Sequence, residues 1–405
     1  MHAEEISPYL ARRMRRVSAS AIMELLKATA KGDYISFASG LPDPTLFPIT
    51  ALAEITEEVL AAEGRTALQY GPAEGHPPLR AYVAEMLRQR GLADATPEHI
   101  LITQGSQQAL DLAARAFLEP EAPVLIETPS YLAAIQAFDS YEAAYMIVPL
   151  DAEGMEVERA AALISARRPR LLFTLPDFQN PTGLTQSLAR RQRLAELAAE
   201  QRLPLLEDDA YYDLRYEGEP LPPVTALAPN PLAIYTGTFS KTIAPGLRVG
   251  YLYAQPPVIE RLVQLKQITD LHTGSLTQRL VLGFCERGLL APQITVLRAT
   301  YGARRDALLA ALEATLSGMA TWTRPVGGMF VFVSLPSSLD AAALLPRAME
   351  RGVVYVPATS FHPGGGGSHT LRLNFVSSTE EAIRRGIAIL AEVIAGGEAD
   401  ANRSV

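Results

Sequence analysis

Short apolar runs, each followed at once by a polar or glycine-rich turn, recur through the first two thirds of the chain. They are Leu101-Ile102-Thr103, Val124-Leu125-Ile126, Leu171-Leu172-Phe173-Thr174, Leu205-Leu206, Leu232 to Tyr235 and Val249 to Tyr253. Each is too short for a helix and reads as a buried strand. Helical spacing lies between them. Leu110, Ala113, Ala114 and Phe117 fall at i, i+3, i+4, i+7, and Leu52, Ile55 and Val59 share one face from Ala51 to Glu63. Strand, turn and helix in succession predict an α/β fold. Nearer the N-terminus, Ser18 to Lys27 reads as a short amphipathic helix with Ile22, Leu25 and Leu26 on one side. The last third differs. A mostly helical stretch, Pro257 to Leu290, leads to a helix around Leu308 to Leu312. Three β-like runs follow (Met329 to Leu335, Val353 to Val356, Thr370 to Val376), separated and closed by helices from Ala341 to Arg351 and Thr379 to Ile394. This is the pattern of a second, α+β lobe.

Chemistry concentrates between Tyr235 and Tyr251. Pro245 and Gly246 break the pattern and make the segment a loop at strand ends, where ligands of α/β sheets bind. Thr238, Ser240 and Arg248 offer hydroxyl donors and a fork-shaped cation, a cradle for phosphate. Lys241 stands in that cradle between apolar Phe239 and Ile243, where an amine stays partly neutral and fit for Schiff-base chemistry. A surface lysine beside a turn is the plainer reading of the same dipeptide. A second anion site opens at Gly105-Ser106-Gln107, where a strand passes through a glycine into a helix. The N–H groups of Ser106 and Gln107 then stand at a positive helix end. The Gly-x-Gly-x-x-Gly of dinucleotide sites is absent. Together the two loops form two halves of a phosphate cup.

Other polar residues follow strands in the same way. They include Tyr131 after Glu127-Thr128-Pro129-Ser130, Asn180 in Gln179-Asn180-Pro181-Thr182-Gly183, and Asp208 with Tyr211. Asp209 reads as a solvated or capping neighbour. Tyr70 anchors a loop forced by Gly71, Pro72 and Gly75, and Gly40 opens the turn Gly40-Leu41-Pro42-Asp43-Pro44. Arg372, in a strand made mostly of Leu and Phe, needs an anionic partner, and a carboxylate fits.

Bulk properties narrow the class. The 405 residues are 48% hydrophobic and 20% charged, ordinary for a soluble enzyme. A net charge of −8 and pI ≈ 5.4 argue against a nucleic-acid partner. The single cysteine, Cys285, allows no internal disulfide and suits a reducing compartment. Arg12, Arg13, Arg15 and Arg16 cluster near the N-terminus, but Glu4, Glu5 and Pro8 interrupt a transit-peptide pattern. With no long apolar run, neither a secretory segment nor a membrane span is expected. The expectation is a cytoplasmic protein with an N-terminal helical arm. His362 and His369 flank the glycine run 364–367 without metal-ligand spacing, so no metal is expected.

Thr238-Phe239-Ser240-Lys241 followed by Pro245-Gly246-Leu247-Arg248-Val249-Gly250 resembles the cofactor-lysine signature of the class I/II aminotransferases. These are fold-type I enzymes that use pyridoxal 5′-phosphate. Tyr70-Gly71-Pro72, Asn180-Pro181-Thr182-Gly183, Asp208-x-x-Tyr211 and Arg372 recur in the family's order, and the resemblance runs from about Ser18 to about Leu390. It looks closest to the branch of 2-aminoadipate and kynurenine aminotransferases. The resemblance implies a large domain with a mostly parallel central sheet over 46–290 and a small domain over 291–405, with 1–45 as arm and small-domain segment. It implies that Lys241 carries the cofactor and moves the substrate's proton, and that Asp208 holds the pyridine nitrogen. Asn180 and Tyr211 would bond the ring oxygen, Tyr131 stack on the ring, and Ser106, Gln107, Thr238, Ser240 and Arg248 bind phosphate. Tyr70 would serve the neighbouring subunit of a homodimer. Arg372, Asn180 and Gly40 would meet the substrate.

The reaction implied moves an amino group from an L-amino acid to a 2-oxo acid, with 2-oxoglutarate and glutamate as one pair. Lyases share the fold, and so do effector lobes of transcription regulators. For the latter, a match beginning near Ser18 leaves no room for a DNA-binding domain. The N-terminal helix of the aminoadipate enzymes offers an arginine to the distal carboxylate; here the matching position is Met23. A thioether there implies broad donor choice, apolar and aromatic as well as aminoadipate-like.

Overall fold

In the computed structural model, which describes residues 6–17, 23–25, 27 and 32–403, the apolar runs assemble into an eight-stranded sheet. Numbered along the chain, β1 (Ile35–Ser36) lies outside that sheet, which comprises the next eight strands. These are β2 (Ile100–Thr103), β3 (Pro123–Thr128), β4 (Ala144–Asp151), β5 (Gly154–Met155), β6 (Leu171–Thr174), β7 (Leu205–Asp208), β8 (Ala233–Thr238) and β9 (Gly250–Ala254). Their spatial order is β2-β9-β8-β7-β6-β3-β4-β5. The run from β8 through β7, β6 and β3 to β4 is parallel, while β9 is antiparallel to both β2 and β8. Two reversals return β2 to the common direction. The carboxyl ends of β2, β3, β6, β7 and β8 therefore share one edge with the amino end of β9.

Helices cover both faces, as a parallel sheet requires. They are α1 (Ile49–Ala67), α2 (Pro77–Gln89), α3 (Ser106–Phe117), α4 (Leu132–Asp139), α5 (Val157–Ala166), α6 (Leu188–Glu200), α7 (Pro256–Asp270) and α8 (Ser275–Glu286). Strand alternation sorts the cores. Leu101, Phe173, Leu206 and Ile234 pack with α3, α4 and α7. On the opposite face Leu172 and Leu205 pack with α5 and α6, and Ile100 and Tyr235 with α2 and α8.

The second lobe begins with the long helix α9 (Leu290–Leu316). Its antiparallel sheet has the order β10 (Thr321–Trp322), β11 (Phe330–Ser334), β14 (Thr370–Asn374), β13 (Val356–Pro357). The remaining strand, β12 (Val353–Val354), pairs in parallel with β1. Helices α10 (Ala341–Glu350) and α11 (Glu380–Arg403) complete it. Phe37, just after β1, is fully buried in this lobe's core with Val331 and Leu373. Such burial contributes roughly 1.5–3 kcal/mol. It also fixes the start of the segment that crosses the site.

Several elements differ from the sequence reading. The stretch Pro257 to Leu290 is two helices, α7 and α8, broken where Leu271 takes a left-handed φ of 66°. The run Val353 to Val356 splits at Tyr355, so that β12 and β13 join different partners. The N-terminal arm is two short 3₁₀ turns, Ser7–Tyr9 and Arg12–Arg15, with no continuous helix among the described residues there. Its arginines are held by the large lobe, Arg12 by Glu142 at 2.7 Å and Arg16 by Glu121 at 2.6 Å. Of the helix expected over Ser18 to Lys27, residues 23–25 and 27 are described, in helical conformation. Ile22 and Leu26 lie outside the described residues. No single described helix is long and apolar enough to cross a membrane.

Candidate active site

The shared strand edge opens into a cavity of about 300 Å³. Lys241, three residues past the end of β8, points into it. Its Nζ donates to the carbonyl oxygen of Gly40 at 3.1 Å. Burial lowers the pKa of this amine to about 8, reinforced by the positive charges of Arg372 and Arg248 and opposed by Asp208. A neutral, nucleophilic amine is thus accessible at mild pH.

Asp208 ends β7 and also faces the cavity. It is 1% exposed and neither carboxylate oxygen has a hydrogen-bond partner. Burial pushes its pKa up to about 7, with Lys241 acting in the other direction. An orphaned buried carboxylate is costly, so the site is built to receive a cation or donor there. Asp209 is not the solvated neighbour expected. It is 3% exposed and its Oδ2 accepts from the Tyr235 hydroxyl at 2.7 Å. Alternation past β7 explains the difference: residues 208 and 209 point to opposite faces of the sheet.

At the other end of the cavity, α3 begins at Ser106 after Gly105, whose φ of 72° favours glycine. A Cβ on Gly105 would lie 2.6 Å from Arg248 Nη2, and one on Gly250 would lie 2.7 Å from the Gly105 carbonyl carbon. Two glycines therefore let the helix start, the guanidinium and β9 meet. Arg248 itself is left-handed, at φ 53°. Thr238 and Ser240 hydroxyls stand 2.8 Å apart beside them. Ser106, Gln107, Thr238, Ser240 and Arg248 all line this end. The two loops singled out in the sequence are brought together.

Arg372, on β14, comes from the other lobe. It is 2% exposed, and its Nη1 donates to Asn180 Oδ1 at 3.0 Å and its Nη2 to the Ala38 carbonyl at 2.9 Å. Both partners are neutral, and Nε has none. The guanidinium lies 4.2 Å from the Phe330 ring centre and 5.2 Å from that of Phe361. Burial lowers its pKa to about 10, opposed by Tyr211 and Tyr131. A guanidinium so placed is ready for a carboxylate. Tyr211 packs edge-on against Phe330. Burial first, then Tyr131 and Asp208, raise its pKa, while Asn180 hydrogen-bonds it and lowers it. Tyr131 lines the cavity and its pKa is pushed up to about 12, chiefly by burial.

Two sequence candidates lie elsewhere. Tyr70 is 76% exposed and sits edge-on to His272, outside the cavity wall. Met23 is 53% exposed and also outside that wall. Conversely, two supporting sets lie outside the motifs of the sequence. Glu127, buried and raised to about 7 by burial, accepts from Thr174 Oγ1 (2.6 Å), the Leu175 N–H and Gln179 Nε2, and so braces the loop carrying Asn180. Asp43 pairs with Arg304 at 2.7 Å and receives Thr45 hydrogen bonds, pinning the segment beyond Gly40. The signal for Glu127 is a carboxylate directly after the apolar run Val124-Leu125-Ile126, whereas Asp43 lies in a turn with no such mark.

The fold and the lysine–aspartate–arginine arrangement are those of a pyridoxal-phosphate enzyme of fold type I. The profile described as Aminotransferase class I and II matches residues 32–390. The chain belongs to that family, whose members transfer amino groups between amino acids and 2-oxo acids with pyridoxal 5′-phosphate as cofactor. It is similar to the aromatic-amino-acid aminotransferase 1 of Thermococcus litoralis, 42% identical over 391 residues, covering 95% of this chain and 94% of that one. Among solved structures, it is similar to the alpha-aminoadipate aminotransferase of Thermus thermophilus complexed with N-(5′-phosphopyridoxyl)-L-leucine. The TM-score is 0.91 at 40% identity, over 97% of this chain and 99% of that one. A multiple substrate aminotransferase from Thermococcus profundus matches with TM-score 0.92 at 39% identity, over 98% and 99%.

The residues present fit the cofactor. The orphaned oxygens of Asp208 call for a protonated nitrogen, the helix start and Arg248 for a phosphate, and the depressed pKa of Lys241 for a carbonyl carbon. When bound, pyridoxal phosphate supplies a ring that withdraws electrons from the substrate's Cα.

Proposed function

We propose that this aminotransferase takes its amino group from a broad range of L-amino acids, apolar, aromatic and 2-aminoadipate-like, and gives it to 2-oxoglutarate. The observation carrying this is the cavity wall. Its cations are Lys241 and Arg248, with Arg372 behind, while Leu41, Leu175, Ala210 and Pro245 supply apolar surface. Among the described lining residues no further cation is free for a distal carboxylate. The leucine adduct held by the Thermus relative supports the same reading.

The geometry supports the following roles. Arg372 takes the α-carboxylate beside Asn180 and Gly40. Lys241 Nζ, released from its cofactor-carrying role, removes the proton from Cα and later returns one. Asp208 would keep the ring nitrogen protonated, Tyr211 and Asn180 would bond the ring oxygen, and Tyr131 would stack on the ring. Ser106, Gln107, Thr238, Ser240 and Arg248 would hold the phosphate. Tyr70, exposed and outside its own cavity, serves the site of a second copy, so the working unit is a homodimer. We place the domain division at 1–45, 46–290 and 291–405, supported by the burial of Phe37 in the C-terminal core. Cytoplasmic residence is supported by the one buried thiol, Cys285.

A panel of amino donors against 2-oxoglutarate tests the reading. The kcat/KM values of leucine, methionine, phenylalanine and kynurenine should fall within about tenfold of that of 2-aminoadipate. A preference for aminoadipate over leucine of roughly a hundredfold, the contribution of one charged hydrogen bond, overturns it.

A further inference from the structure

Behind the anion end of the cavity lies a closed ring of hydrogen bonds centred on a buried lysine. Lys266, on α7, is 0% exposed. Its Nζ donates to both oxygens of Asp270 at 3.0 Å and to Gln108 Oε1 at 2.7 Å. Gln108 Nε2 donates back to Asp270 Oδ2 at 2.8 Å, and Gln108 Oε1 accepts a second bond, from the Gln104 N–H at 2.9 Å. The Gln104 carbonyl accepts from Arg248 Nη2 at 2.9 Å. One backbone unit is thus gripped from behind by the lysine set and from the front by the guanidinium.

An apolar side chain would fill the space of Lys266 without the cost of burying an ammonium. It could not hold Gln108 Oε1 where Gln104 needs it. At the next residue, Gly105, there is no room even for a Cβ beside Arg248, and Arg248 Nη2 is bonded to the Gln104 carbonyl, so a shift of this turn moves the guanidinium and the start of α3 together. We propose that Lys266, Asp270 and Gln108 are positioning residues for the phosphate cup, fixing the Gln104–Gly105 turn and through it Arg248 and the N–H groups of Ser106 and Gln107. The proposal rests on the reading of those residues as the phosphate site.

The test uses the holoenzyme converted by an amino donor to its pyridoxamine phosphate form, which Lys241 does not tether. Equilibrium dialysis then reads the grip of the cup. Lys266→Met and Asp270→Asn change net charge in opposite directions. Positioning requires both to weaken pyridoxamine phosphate binding by about tenfold, and both to shift the bound phosphorus resonance. Opposite effects on affinity would mean a charge field and overturn the proposal. Unchanged affinity with only a lowered Tm would overturn it as well. Gln108→Met removes the same link without stranding a charge, and undiminished affinity there overturns the proposal even where the charged variants fail to fold. Arg248→Met separates the two readings. Unchanged affinity in that variant refutes the cup itself, whereas a loss there with none in the other three refutes only the positioning role.

Discussion

Lys241 Nζ meets the carbonyl oxygen of Gly40 at 3.1 Å, joining residues 201 positions apart. The contact holds the amine beside Asp208 and Arg372 before any substrate arrives. Burial there, with the charges of Arg372 and Arg248, lowers the amine's pKa to about 8.

Reduction of the yellow holoenzyme with borohydride should attach the cofactor to Lys241, as peptide mapping by mass will show. Attachment to another lysine would refute the assignment. The rate of cofactor attachment to the cofactor-free protein should rise about tenfold per pH unit up to about 8 and level off above it, following the neutral amine. Lys241→Ala should retain some cofactor, held by its phosphate, and lose turnover.

Asp208→Asn should keep the fold and bind cofactor, yet transaminate at least a hundredfold more slowly, an order-of-magnitude expectation for a neutral amide that cannot hold the ring proton. A linkage test accompanies it. The folded pKa, about 7, lies above the ordinary 3.8, so the folded cofactor-free protein holds the extra proton between those values. This contribution is fully present below about pH 4 and is lost as pH rises through about 7, on the order of a few kcal/mol. Thermal scans of the cofactor-free protein should show that decline shrink in Asp208→Asn. Near-normal turnover in this variant would sink the assignment.

Tyr70→Ala and Lys241→Ala should complement each other. Random reassortment of the two inactive dimers restores about a quarter of the sites, because each mixed dimer contains one intact combination. Activity that stays absent despite demonstrated subunit exchange would remove Tyr70 from the partner's site.

Arg372→Met should raise KM for every donor alike, by about ten- to a hundredfold, since all share the α-carboxylate. Cofactor binding should be unchanged, because Arg372 lies behind the cavity wall rather than at its phosphate end. A loss confined to one donor class would contradict this role.

Local pattern by itself determined a good part of this protein. Lys241, Thr238, Ser240 and Arg248 were legible because they lie within one loop, whose breakers and glycines state its shape. The buried strands were legible because a parallel sheet covered on both faces needs uninterrupted apolar runs. Helix α2 carries the same kind of signal, with Leu79, Val83 and Leu87 at helical spacing. Other features depend on contacts between distant residues and leave no local mark. The antiparallel insertion of β9, which brings Arg248 to the start of α3, is a matter of strand order. The opposite fates of Asp208 and Asp209 are a matter of where β7 ends in its register. The meeting of Arg372 with Asn180 and Ala38 joins two lobes across 192 and 334 positions. Only packing decides which buried charges find partners, and so only the tertiary structure separated Lys266, closed into bonds with Asp270 and Gln108, from Lys241, which faces the cavity.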